Sequence, residues 1–380
     1  MSKRIVVIGA GAWGGWSAFK LQEAGHNVIL IDKAEPGNSL SGSGGKTRII
    51  RMAYGGHQKY TEMVDLSFQE WEKYGARWGE TLYHPKDAIW LFRNIKPDYA
   101  EESVPLMKDR GYILKSLNID EVRMTYPEIA FDDITSVYWE PKTWFLEAAK
   151  SCQVVVREFE KLGGRIIQAE VEALDFKQQA VQVYCLGKVM EADQVVVAAG
   201  PWAKNLVPEL ESVIHVTRQE VYYFDAPNRY KKLPIWVEFR EGDHMYYGIP
   251  DHFGEGFKFA YDERQWVLEP DQDSRGITNE ILSKMSSILT NRFPELIRPK
   301  VIKHHTCVYE NSIDGDFIID QKHNGRLLYL AGSSGHGFKM GPAIGQLTTD
   351  FIQDSQTLPS QFSIERFKEK SQRKSQYQMD

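Results

Sequence analysis

Ile5-Val6-Val7-Ile8-Gly9-Ala10-Gly11-Ala12-Trp13-Gly14 decides the fold: four uninterrupted apolar residues run into three glycines spaced Gly-x-Gly-x-x-Gly. An unbroken apolar run is what a parallel strand buried on both faces requires. Gly14 to Ala24 then reads as a helix with Gly25 as its stop, and Val28-Ile29-Leu30-Ile31 reads as the next strand, closing on Asp32. In this βαβ frame Gly9 permits the tight turn, Gly11 lets the backbone approach a diphosphate, and Gly14 lets helix and strand pack closely. The helix N-terminus supplies amide donors for phosphate, and Asp32 would accept a ribose hydroxyl. The fingerprint predicts a bound dinucleotide and leaves FAD and NAD open.

Two more apolar runs have the same character. Val195-Val196-Val197-Ala198-Ala199 ends on Gly200-Pro201, and Leu327-Leu328-Tyr329-Leu330-Ala331 ends on Gly332. Strands of one parallel sheet are therefore spread from the N-terminus to residue 331, and the dinucleotide unit must be discontinuous. Between them lie Ala88–Phe92, Val221–Phe224, Trp236–Phe239 and Met245–Ile249, rich in aromatic and β-branched residues as an antiparallel sheet would be. Asn279–Phe293 is predicted helical up to Pro294, and the polar tail after Ser363 is predicted to form a terminal helix. The expected fold class is α/β, a discontinuous Rossmann-like domain with an inserted α+β domain built on a mainly antiparallel sheet.

Composition narrows the function. With 380 residues, 42% hydrophobic and 26% charged, the chain reads as globular with room for two domains. A net charge of -6 argues against nucleic acid as the main partner, which calls for a basic face. No apolar run approaches the length of a membrane span, and Ile5–Ile8 is too short for a signal-peptide core. Gln378-Met379-Asp380 is no peroxisomal address, so a cytoplasmic protein is expected. Three widely spaced cysteines exclude a disulfide framework or a cysteine zinc site, and no metal is expected. Cys152 and Cys185 read as inert buried hydrophobes.

Two further segments carry charge beside glycine. Thr47-Arg48-Ile49-Ile50-Arg51 follows the glycine-rich Gly42–Gly45; if helical, it puts both arginines on one face. They read either as a solvated basic face or as buried cations that need an anion. Gly332–Gly341 surrounds His336 and Lys339 with four glycines and reads either as a flexible loop or as the entry to a second helix, Ala343 to Phe351. In the second reading the helix dipole would stabilise negative charge on a reduced flavin.

These segments resemble the monomeric sarcosine oxidase and N-methyltryptophan oxidase family of flavoproteins, within the D-amino acid oxidase-like group. The resemblance rests on the N-terminal fingerprint, Thr47–Arg51 with Ala53-Tyr54-Gly55, Ala199-Gly200-x-Trp202, Tyr247-Gly248-x-Pro250, Cys307-x-Tyr309, Asp316-Phe317-Ile318-Ile319-Asp320 and Ser334–Lys339. It implies an FAD-binding domain (1–85, 147–215 and 300–380) and a substrate domain (86–146 and 216–299) whose sheet roofs the flavin. The cofactor set it implies begins with Gly9, Gly11, Ala12, Trp13, Gly14, Asp32 and Lys33. Ser43, Thr47, Arg48 and Val171 follow, then Ala199, Gly200 and Trp202, and finally Gly335, His336, Gly337, Phe338 and Lys339. Cys307 stands where the family bonds FAD through a thioether. Arg51 and Lys339 stand where a substrate carboxylate is held, Arg48 near the flavin ring, and Lys258 where oxygen is activated. Tyr247 and Tyr309 fall at cavity-lining positions.

Departures from the pattern bear on the substrate. Gly44 and Gly45 replace paired histidines in a loop one residue shorter, Asp262 stands at a pocket histidine, and Trp236 at a pocket methionine. Trp236 is either a flat wall for a substrate ring or core packing in the sheet, and Asp262 either meets a substrate nitrogen or lies on the surface. The first alternatives predict a ring-bearing amino or imino acid rather than sarcosine. The expected activity is oxidation of an amino acid C–N bond to an imine by a monomeric enzyme, with O2 reduced to H2O2. A flavin-dependent dehydrogenase passing electrons to another carrier is the principal alternative. An NAD-dependent dehydrogenase and a non-catalytic FAD-binding protein are more distant ones.

Overall fold

The computed structural model describes residues 2–242, 244–354 and 357–368. The apolar runs assemble into one six-stranded sheet, in spatial order Ile318–Lys322, Leu327–Ala331, Gln194–Val197, Arg4–Ile8, Asn27–Asp32 and Arg165–Gln168. Every neighbouring pair is parallel except the edge strand Ile318–Lys322, which runs antiparallel to Leu327–Ala331. The helices Ala12–Glu23 and Gly341–Asp354 pack together on one face, with Ala148–Lys161 and Gln58–Trp78 around them. Trp16 sits at their centre, edge-on to Trp71 and Phe19. The opposite face is covered by the meander Val171–Phe176, Val181–Cys185 and Lys188–Ala192, whose Val181, Val183 and Cys185 pack on Val6 and Val197. Cys152 and Cys185 are both buried free thiols.

A second sheet has eight strands, in order Val301–Ser312, Ile214–Phe224, Phe257–Asp262, His244–Ile249, Ile235–Arg240, Ala88–Arg93, Ser136–Glu140 and Lys115–Leu117. All pairs are antiparallel except Ile235–Arg240 with Ala88–Arg93. Register sorts its residues into faces. Tyr222, Phe259, Gly248 and Trp236 lie in one cross-strand row, and their aromatic rings join Met285, Leu289 and Phe293 of the Asn279–Arg292 helix region in a single core. The next row, Val221, Ala260, Tyr247 and Val237, faces the other way.

Two expectations change here. Trp236 is fully buried on the helix-covered face, stacked on Phe259 at 5.3 Å, so it is core packing and not a wall of the cavity. Thr47–Ile50 is a strand paired with Trp144–Glu147 and not a helix, so its arginines do not share a helical face. Of the tail after Ser363, Ile364–Lys368 forms a 3-10 helix, and the remainder on which the terminal helix is expected lies outside the described residues. No helix among the described residues is long and apolar enough to cross a membrane.

Candidate cofactor and substrate site

The glycine fingerprint is built by close approach. Gly9 has φ +105°, and a Cβ there would lie 2.3 Å from the Ala198 carbonyl oxygen; one on Gly14 would lie 1.8 Å from that of Gly9. Only bare Cα atoms let the helix start against the strand ends. Ser43 reaches over this helix start, its hydroxyl accepting the Ala12 N–H at 2.9 Å. Asp32 accepts the Ala10 and Ala34 amides at 2.6 and 2.9 Å, and burial raises its carboxyl against the pull of those donors.

These groups line a cavity of about 1210 Å³, its open mouth included. Its lining includes Asp32, Lys33, Val171, Ala199, Gly200 and Trp202 together with Gly42, Val308, Glu310, Ser333 and Phe338. Lys33 Nζ lies 3.9 Å from the Trp202 ring centroid, and both side chains donate to Asp271. An acceptor for ribose, amide donors at a helix start with no room for a Cβ, and apolar walls fit a dinucleotide.

Beyond the cavity, two clusters of cations, with Arg48 half-buried and Lys258, Arg51 and Lys339 buried, face the inner side of the eight-stranded sheet. In the first, Arg48 Nη2 donates to Gly42 O at 3.0 Å, Gly44 O at 2.7 Å and Cys307 Sγ at 3.0 Å. Lys258 Nζ donates to the carbonyl and hydroxyl of Thr47 at 2.9 and 3.0 Å. Burial, then the neighbouring Arg48, pushes the Lys258 ammonium down to about 7. His305 completes the cluster; burial and the same two cations push its imidazole down to about 3.

Gly44 and Gly45, which stand where the resemblance has paired histidines, do not open space. A Cβ on Gly44 would lie 2.4 Å from Asn38 O, and one on Gly45 would lie 3.0 Å from His305 Nε2. The bulk removed at Gly45 is returned by an imidazole from the adjacent strand.

The second cluster gathers Arg51, Tyr54, His336 and Lys339. Lys339 Nζ donates to Tyr54 Oη at 2.9 Å and His336 O at 3.0 Å; the Arg51 guanidinium lies 4.6 Å from the Tyr54 ring. Burial, then Arg51, pushes the Lys339 ammonium well below its ordinary value, with Asp262 and Glu140 opposing. His336 is likewise held neutral by burial and Lys339, and its Nε2 donates to Gly315 O at 3.1 Å. Tyr309 lies on Gly335, whose Cβ would fall 2.3 Å from its ring. Trp13 props the same loop, donating to Gly337 O at 2.9 Å. Asp262 is buried beside this group, 3.5 Å from Arg264.

Glu140, His305 and Glu310 went unread in the sequence. Glu140 is fully buried next to Arg51, accepts the Met52 N–H at 2.5 Å, and is pushed up to about 7 by burial. A signal existed for one of them: the His304-His305 pair lies two residues before Cys307.

A family model described as FAD dependent oxidoreductase matches residues 4–351. N-methyl-L-tryptophan oxidase of Yersinia pestis (strain Pestoides F) is 27% identical over 380 residues, covering 97% of this chain and 100% of that one. L-proline dehydrogenase from P. horikoshii is similar in structure, with a TM-score of 0.84 at 20% identity over 97% of this chain and 98% of that one. NikD, an unusual amino acid oxidase essential for nikkomycin biosynthesis, gives a TM-score of 0.79 at 17% identity over 95% and 97%.

Proposed function

The chain belongs to the FAD dependent oxidoreductases, and within that family we propose that it oxidises the C–N bond of a secondary or cyclic amino acid to an imine, with O2 reduced to H2O2. Bound FAD supplies the acceptor for the two electrons and the hydrogen that leave the substrate carbon. The similarity to N-methyl-L-tryptophan oxidase supports a substituted α-amino acid as substrate.

The observation that carries this reading is the pairing of Arg51 and Lys339 around Tyr54, both buried. Two cations this close lower each other's stability, and an incoming carboxylate relieves both. Arg51 offers a fork and Lys339 a point charge, which together orient the acid. Asp262, on the same face as Tyr247 and near Tyr309, stands to meet the substrate nitrogen, and that orientation is a large part of the rate. Lys258, held by Thr47, would stabilise negative charge developing on dioxygen. Cys307, beside Arg48, is the proposed thioether attachment point. We read 86–146 and 216–299 as the substrate domain and the remainder as the FAD domain.

The test is anaerobic bleaching of the bound flavin by a panel of N-methyl, cyclic and primary amino acids and their amides, followed by peroxide detection on admitting air. Acids are expected to bleach and amides not; Arg51→Ala should weaken acid binding by roughly 2–5 kcal/mol. Equal turnover of acid and amide would remove the carboxylate site from the reading. Reduction by substrate without peroxide on aeration would assign the electrons to another carrier.

A further inference from the structure

Val308 and Glu310 alternate with Cys307 and Tyr309 along the strand Val301–Ser312, and both line the dinucleotide cavity. The Glu310 side chain is 3% exposed. Its Oε1 is buried without a hydrogen-bond partner among the described residues, and the nearby backbone amides of Gly332 and Ser333 pull its carboxyl down against the effect of burial. Burial outweighs those amides and raises the carboxyl, and no cation is among the causes of its shift. A carboxylate in this position would face an anionic cofactor, and two anions sharing such a site repel.

We propose that Glu310 is part of the cofactor site, standing as the neutral acid and donating its O–H to an acceptor oxygen on the flavin half of bound FAD. The half is assigned by neighbours. Glu310 lines the cavity together with Gly42, whose carbonyl oxygen lies 3.7 Å from Cys307 Sγ, the proposed attachment point. It also lies three residues, about 10 Å of strand, from Cys307. Burial holds the carboxyl up at about 8, so the proton is present at neutral pH. A donor at this point satisfies the orphaned oxygen and adds hold on the cofactor without adding charge.

The proposal rests on FAD binding and is tested apart from turnover. Infrared spectra of the holoprotein, compared with those of Glu310→Gln and Glu140→Gln, should show a carboxylic-acid C=O band that Glu310→Gln removes and Glu140→Gln keeps. Cofactor hold is read by flavin fluorescence quenching in a Cys307→Ala background, where uptake is reversible. Glu310→Gln, neutral and still a donor, should bind FAD as its parent does. Glu310→Ala should bind about tenfold more weakly, the size of one hydrogen bond. An acid band untouched by Glu310→Gln, or FAD binding unchanged in Glu310→Ala, would overturn the proposal. A purified wild type without flavin absorbance would instead count against FAD binding itself.

Discussion

Trp236 offers a sharp test of how the eight-stranded sheet is oriented. Its indole is fully buried, 5.3 Å from Phe259 and 5.1 Å from Phe293 between ring centroids. Truncation to Ala removes roughly 200 Å² of buried surface, about 5 kcal/mol of transfer free energy at 25 cal/mol per Å². Nε1 is buried with no hydrogen-bond partner among the described residues. Losing that orphan returns about 1–3 kcal/mol, so a net cost near 3 kcal/mol is expected. Gly248 supplies the second arm, because a Cβ there would lie 2.1 Å from Trp236 Nε1. Gly248→Ala alone should cost about 1–3 kcal/mol by overpacking. In the double variant the new methyl enters the space left by the ring, so the combined loss should fall short of the sum by about 1 kcal/mol or more. Urea unfolding of the four proteins measures the cycle, and relative rates on the amino acid panel should keep their order throughout. Additive losses, or a Trp236→Ala protein of wild-type stability with reordered substrates, would return the indole to the cavity.

Three further perturbations address buried side chains at the site. Lys258→Met should leave reduction by substrate nearly intact and slow reoxidation by O2 by about 100-fold, the scale of one lost charge-stabilising donor, as followed by stopped-flow absorbance. Glu140 ionises near 7 beside Arg51 and Lys339, and above that pH its charge competes with a substrate carboxylate. Substrate Kd, measured anaerobically, should therefore rise with pH through about 7, and Glu140→Gln should lose that rise. If Cys307 bears the flavin, acid precipitation should leave the yellow colour in the wild-type pellet and release it from Cys307→Ala; a yellow wild-type supernatant would end that assignment.

What could be read from the sequence was what is local. The glycine spacing and Asp32 lie within one βαβ unit, and strands buried on both faces announce themselves as apolar runs. The inner sheet was harder. In Ile235-Trp236-Val237-Glu238-Phe239 every residue is buried, so alternation carries no sign of which face meets the cavity. Even Glu238 is interior, paired with Arg292 at 2.7 Å, which removes the polar marker that usually sets the parity. Thr47–Ile50 owes its strand conformation to Trp144–Glu147, nearly a hundred residues away. Glu140 and Glu310 looked like any solvated glutamate, because nothing within their own windows encodes a low-dielectric surround. His305 could be understood only with Gly45 beside it.

The order of strands in the parallel sheet also constrains how the protein is made. Gln194–Val197 finds its outer partner only in Leu327–Ala331. About 130 residues separate them, which on a ribosome is on the order of 10 s of synthesis. Throughout that interval an apolar strand presents a bare edge to other nascent chains. The cavity wall from Val308 to Phe338 is missing for the same period, so the cofactor cannot shelter the edge early. Soluble yield in a host cell is therefore expected to respond more to chaperone co-expression during translation than to added riboflavin.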